Sequence, residues 1–182
     1  MRWMWIDRFE EFVAGKYSVS IKNVTLSDDP VDEYCPSFPF FTPTLITEGI
    51  AQTGGLLYHQ VFNFEQRVVL AKIGSAKFHF EAIPGDTLRY RCDFVNVSDT
   101  GAVVQCTAHV GNRLLAEVEM MFAKLEDERF RNVILFEPAE FSRFMRLMKL
   151  FEVARYEDGR RIEVPQHLLD AEKAILVDHN AS

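Results

Sequence analysis

Hydrophobic and polar positions along the chain change period several times, and those changes mark out the elements. Residues 4–13 (MWIDRFEEFV) mix alternation with charge and fit either a strand or a helix. A turn at AGKY (14–17) leads into YSVSIKNVTL (17–26), whose alternation predicts a strand. SDDPVDEYCPSFPFFTP (27–43) carries four prolines and predicts a loop, part of it buried because it is rich in Phe. From Thr44 to about Phe62 the pattern predicts a helix, with Pro43 and Thr44 suited to its N-terminus. Gly49, Gly54 and Gly55 each cost about 1 kcal/mol against Ala inside a helix. Tertiary packing must therefore hold this helix, and its small side lets another backbone come close.

Four strands are predicted next, at 67–80, 86–98, 101–111 and 113–125. The breaks IPGD (83–86), SDTG (98–101) and GN (111–112) have turn chemistry, and the close links favour an antiparallel meander. In the tail, PAEFSRFMRLMKLFEVARY (138–156) predicts an amphipathic helix with Phe141, Phe144, Met145, Met148 and Phe151 on one stripe. A shorter helix is predicted at 164–177. One long helix between early and late antiparallel strands is an α+β layout, with the sheet able to wrap the helix.

Composition narrows the class. The chain has 182 residues, one domain's worth, and with 9 Gly, 7 Pro and 3 Cys it is neither collagen-like, disordered nor a disulfide scaffold. Its net charge of −7 argues against broad nucleic-acid binding. Residues 129–161 run against that balance, with eight Lys or Arg and five Asp or Glu. That window reads as a helix docked on the body or on a dimer mate, or as a docking surface for an acidic carrier protein. Cys35, Cys92 and Cys106 are an odd number without a CxxC, which fits reduced thiols in a cytoplasmic protein. The N-terminal MRWMWIDRFEEF is unlike a signal peptide, and no apolar run approaches the roughly 18 residues of a membrane span. No pair of histidines has metal-ligand spacing, so no metal is expected.

Three stretches resemble one known family. YCPSFPFFTPTLITEGIAQ (34–52) is similar to the HFPGHPVMPGVLxxEAMAQ signature of 3-hydroxyacyl-[acyl carrier protein] dehydratases. KFHFEAIPGDTL (77–88) is similar to that family's KFRRPVVPGDxL, and IDRFEEFVAGKYSVSIKNVT (6–25) to its VDRVLE…IKNVT opening. The resemblance implies a hotdog fold, a long helix wrapped by a curved antiparallel sheet. It places the hotdog domain at 1–125 and leaves 126–182 as a C-terminal helical extension longer than the usual family end. It further implies fatty-acid-type synthesis, a homodimer or trimer of dimers with acyl tunnels at the subunit seam, substrates carried as thioesters of acyl carrier protein or CoA, and no metal or redox cofactor.

Dehydrating a 3-hydroxyacyl thioester needs a base for the proton alpha to the carbonyl, a donor for the enolate oxygen and an acid for the departing hydroxyl. In the family these are the motif's opening His, a backbone N–H at the helix start, and a carboxylate fourteen residues after the His. Here the carboxylate falls on Glu48, the catalytic candidate, and the His position falls on Tyr34. The donor position falls on Pro43, which has no N–H, or after a one-residue shift on Thr44. A tyrosine near pKa 10 is ionised in only about one molecule per thousand at neutral pH, so it is a poor base. Tyr34, Cys35, Phe38, Pro43, Thr44 and Gln52 are the substrate-binding candidates, with Gln52 placed either to brace Glu48 or to touch ligand. His59 lies eleven residues beyond Glu48, about 16 Å up the helix, too far to share a site with it. The reading is a dehydratase with atypical or reduced activity. The alternatives are a non-catalytic acyl-thioester binder or partner subunit, and a hotdog thioesterase.

Overall fold

The computed structural model of the chain describes residues 3–28, 38–126 and 136–180. Strands β1 (Arg8–Val13) and β2 (Tyr17–Asn23) precede helix α1 (Pro43–Val61). Strands β3 (Val68–Phe78), β4 (Thr87–Val97), β5 (Gly101–Val110) and β6 (Arg113–Lys124) follow. The tail contributes α2 (Pro138–Leu147), α3 (Leu150–Val153), β7 (Ala154–Arg155) and α4 (Gln166–Asn180). The strands form one sheet in the order β3-β6-β5-β4-β2-β1-β7, antiparallel except where β7 joins β1. The ambiguous opening segment is thus a strand, fixed by its pairing with β2.

Helix α1 lies against this sheet. Pro43 occupies the first turn, where its missing N–H costs nothing, and Thr42 before it is extended. Leu45, Ile46, Ile50, Leu57 and Tyr58 bury the sheet-facing side. Gly49 marks the closest approach. A Cβ there would stand 2.6 Å from the Tyr90 ring and 2.7 Å from the Trp5 carbonyl oxygen. A buried polar seam pins the helix to β2: Thr53 Oγ1 donates to the Gly49 carbonyl (2.7 Å) and lies 2.6 Å from Ser20 Oγ, while Ser18 Oγ donates to the Thr53 carbonyl (3.0 Å). Each of these buried groups therefore has a partner.

Among the described residues strand β3 pairs along one edge only, with β6, with two register shifts that help curve the sheet. Leu70 and Ile73 on it are exposed. Cys92 and Cys106 face each other across β4 and β5 as buried free thiols, and burial pushes the Cys92 thiol up.

The single helix expected over 138–156 is broken. α2 ends at Leu147, and Lys149 takes a left-handed conformation with φ 58°. The chain then forms α3 and the two-residue β7 on the edge of β1. The apolar stripe runs through the break, so periodicity alone could not reveal it. Long-range backbone bonds decide it: Phe9 N–H donates to the Met148 carbonyl (2.8 Å) and Ala14 N–H to the Arg155 carbonyl (2.9 Å). Glu172 of α4 then accepts from Ser142 Oγ and from both Nε and Nη2 of Arg146, strapping α4 over α2. Among the described residues no helix is long and apolar enough to cross a membrane.

Candidate functional site

Glu48 stands in the second turn of α1, half-buried, with Gln52 one turn further on the same face. Gln52 Nε2 donates to Glu48 Oε1 (3.0 Å) and to the Trp3 carbonyl (3.0 Å), and Gln52 Oε1 accepts from Trp5 N–H (2.9 Å). Gln52 is therefore a brace. Its amide hydrogens are both engaged, and it holds the carboxylate against the N-terminal segment. Glu48 Oε2 makes no hydrogen bond to a described residue, so one oxygen stays available.

The carboxylate looks into a cavity of about 400 Å³, within the usual range for small-molecule sites. Its floor is one face of α1 at helical spacing: Glu48, Ala51, Gln52, Gly55, Leu56 and His59. Val68 and Leu70 of β3 and Phe122 of β6 form one wall. The roof comes from the tail, as Phe141, Phe144 and Met148 of the α2 region with Phe136 ahead of them. Apart from Glu48 and Gln52 at one end and His59 at the other, these surfaces are apolar.

His59 is buried, with its ring centroid 5.1 Å from that of Phe141 and 6.3 Å from that of Phe136. Burial pushes its pKa down to about 4, against a hydrogen bond to the Gln66 backbone that favours the charged form. The ring is neutral at physiological pH, and its Nδ1 has no hydrogen-bond partner. His59 and Glu48 thus line one cavity from opposite ends, which corrects the expectation that they belong to separate sites. The distance still keeps them from sharing a proton directly.

The other candidates separate from this cavity. Phe38 is 61% exposed, and Pro43 and Thr44 lie at the surface in the first turn of α1, outside the lining. The described chain leaves that turn uncovered. Among the described residues of this loop the buried aromatic is Phe41, paired by a backbone bridge to Ala82. Pro43 lacks an N–H, and Leu45 and Ile46 N–H both donate to the Thr42 carbonyl, so among the described residues Thr44 N–H is the first-turn donor left over. Tyr34 and Cys35 lie outside the described residues. Sequence reasoning missed Trp3, Met4 and the aromatic roof as site residues. The tail's apolar stripe was visible, but nothing in it said that it would close a cavity rather than bury itself on the sheet.

No family profile matches the chain. Curated relatives do. Over 129 residues it is 35% identical to the 3-hydroxyacyl-[acyl-carrier-protein] dehydratase FabZ of Lawsonia intracellularis, covering 69% of this chain and 84% of that one. Over 119 residues it is 34% identical to FabZ of Desulforamulus reducens, covering 65% and 84%. Among solved structures, the dehydratase heterocomplex ApeI:P of Xenorhabdus doucetiae aligns with a TM-score of 0.55 at 10% identity, over 67% of this chain and 83% of that one. The protein smu.793 of Streptococcus mutans, solved bound to acetyl CoA, aligns with a TM-score of 0.53 at 19% identity, over 64% and 86%. A wrapped central helix, the three sequence stretches and identity above 30% across most of the relatives' length agree on one assignment: the chain belongs to the hotdog-fold 3-hydroxyacyl-[acyl-carrier-protein] dehydratase family.

Proposed function

We propose that the chain binds an acyl thioester along α1, with the reacting end at Glu48, and acts on it as a dehydratase of reduced activity. The observation that supports this best is a carboxylate with one free oxygen at the polar end of an otherwise apolar cavity. In the forward reaction the proton alpha to the carbonyl leaves, the electron pair moves into the new double bond, and the 3-hydroxyl departs as water. Glu48 serves the departing hydroxyl, and Thr44 N–H is the donor nearest the family's enolate-binding position. Tyr34 takes the position of the family's base and supplies it poorly, which makes the turnover slow.

The carrier is acyl carrier protein or CoA, the setting is cytoplasmic, and residues 1–125 form the hotdog domain with 126–182 as its extension. A second copy pairs along β3. That strand's outer edge is unpaired among the described residues, its Leu70 and Ile73 are exposed, and Leu70 also lines the cavity. The missing base also supports a non-catalytic binder, which the same assay separates.

The test is hydration of trans-2-butenoyl pantetheine, followed by loss of enoyl absorbance. A slow wild type, an increase of about a hundredfold in Tyr34→His and a loss in Glu48→Gln are expected. A wild type and Tyr34→His that are both silent yet bind saturated acyl thioesters identify a binder. Release of free thiol from a saturated thioester identifies a thioesterase. Undiminished turnover in Glu48→Gln removes Glu48 from the chemistry.

A further inference from the structure

A second cavity of about 270 Å³ lies beyond the far end of the first, reaching Phe64 and, on α4, Leu168. Three side chains line both cavities: His59, Phe136 and Phe141. Their rings form a continuous partition. Phe136 and Phe141 are stacked with centroids 5.0 Å apart and planes 16° apart, and Phe141 lies 5.1 Å from His59. Phe136 and Phe141 come from the tail, beyond every stretch that resembles the dehydratase family. The partition is held in place, since α2 is strapped by Glu172 and its C-terminal end is bonded to β1.

We propose that this partition is the stop that sets acyl chain length, and that chains of up to about sixteen carbons are accepted. The proposal rests on the acyl-thioester reading above. The floor from Glu48 to His59 spans eleven residues, or about 16 Å at a rise of 1.5 Å per residue. An extended chain advances roughly 3.3–3.6 Å over the three backbone bonds of a residue, hence roughly 1.2 Å per bond, so about 13 bonds fill the floor; counted from C3 beside Glu48, the chain ends near C16. The next methylene meets the ring of His59 or Phe141. That face offers an alkyl end no charge and no accessible polar atom, because His59 is neutral, bonds the Gln66 backbone and keeps its Nδ1 sealed from solvent. The stop is therefore steric and suits a plain alkyl end. Removing the Phe141 ring joins the two cavities and lengthens the tunnel toward α4.

The experiment is calorimetric titration of the full chain with butanoyl, dodecanoyl, hexadecanoyl and icosanoyl pantetheine, for wild type, Phe141→Ala and Phe136→Ala. Each methylene buried raises affinity about fourfold, so wild-type affinity climbs up to hexadecanoyl. Icosanoyl then binds about tenfold or more below hexadecanoyl, because the excess chain overpacks the partition. In Phe141→Ala icosanoyl binds at least as well as hexadecanoyl. Phe136 is 50% exposed, so Phe136→Ala leaves the core intact and shifts the same ratio in the same direction, even if Phe141→Ala fails to fold. The proposal is overturned if wild type binds icosanoyl no worse than hexadecanoyl. It is equally overturned if the folded variants keep the wild-type cut-off. No binding at any length overturns the acyl-thioester reading itself, a result distinct from an unmoved cut-off.

Discussion

The amide of Gln52 joins Glu48 to the start of the chain: its nitrogen lies 3.0 Å from Glu48 Oε1 and 3.0 Å from the Trp3 carbonyl, while its oxygen accepts from Trp5 N–H at 2.9 Å. The carboxylate is aimed by a neighbour that is itself fixed on two sides.

Gln52→Ala removes these three bonds together and leaves Trp5 N–H without its acceptor. A stability loss of about 1–3 kcal/mol is expected in urea unfolding. Amide exchange over residues 3–7 should rise at the same time. Unchanged exchange there would show that the N-terminal segment does not depend on the brace.

Gly49→Ala sets two effects against each other. Helix propensity favours Ala by about 1 kcal/mol. The new methyl meets the Tyr90 ring at 2.6 Å and a backbone carbonyl at 2.7 Å, neither of which is the end of a flexible side chain. The clash wins, and a net loss of about 1–3 kcal/mol is expected from the urea midpoint. Gly55→Ala is the control, since its Cβ comes no nearer than 3.4 Å to Phe122, and its stability should match wild type or exceed it.

His59 makes stability depend on pH. Its folded pKa of about 4 lies below the unfolded value near 6.5. Between those values the unfolded chain binds the extra proton, so stability from this group is full above about pH 6.5 and falls as pH drops toward 4. The contribution lost is up to about 3 kcal/mol. Chemical unfolding of wild type and His59→Phe across this window should show a steeper decline in wild type. Parallel curves would contradict the buried neutral ring.

Glu172 straps α4 to α2 from a partly exposed position, and the Arg146 guanidinium holds its carboxyl below the usual carboxylate range. Glu172→Gln should therefore cost less than about 1 kcal/mol of global stability. Its effect is local: amide exchange in α4 rises while exchange in β4, at the centre of the sheet, stays unchanged. Equal protection in both proteins would mean that α4 is held by its apolar contacts alone.

The elements that depend on local pattern were legible. β4, β5 and β6 lie within a residue or so of their alternating runs, and α1 starts at Pro43, where proline and threonine suit a first turn. The reading of Gln52 as a brace was also within reach, because i and i+4 on a helix are neighbours. The break at Lys149 was not, since a backbone bond to Phe9 decides it and no local pattern encodes that. The cavity was half legible. Glu48 was singled out by the resemblance of residues 34–52 to the dehydratase signature, but the roof required knowing where the tail docks. His59 looked unrelated because helical rise separates it from Glu48, yet a long ligand site can include both.

The short β7 strand has a consequence for how copies of the chain can associate. A sheet with both edges open can add neighbours at each side and grow without limit. Here β7 and the chain around it cover the β1 edge, and among the described residues the β3 edge is left. Pairing through a single edge is self-complementary and closes at two subunits. Two residues of parallel pairing thus convert a template for open-ended growth into one that terminates.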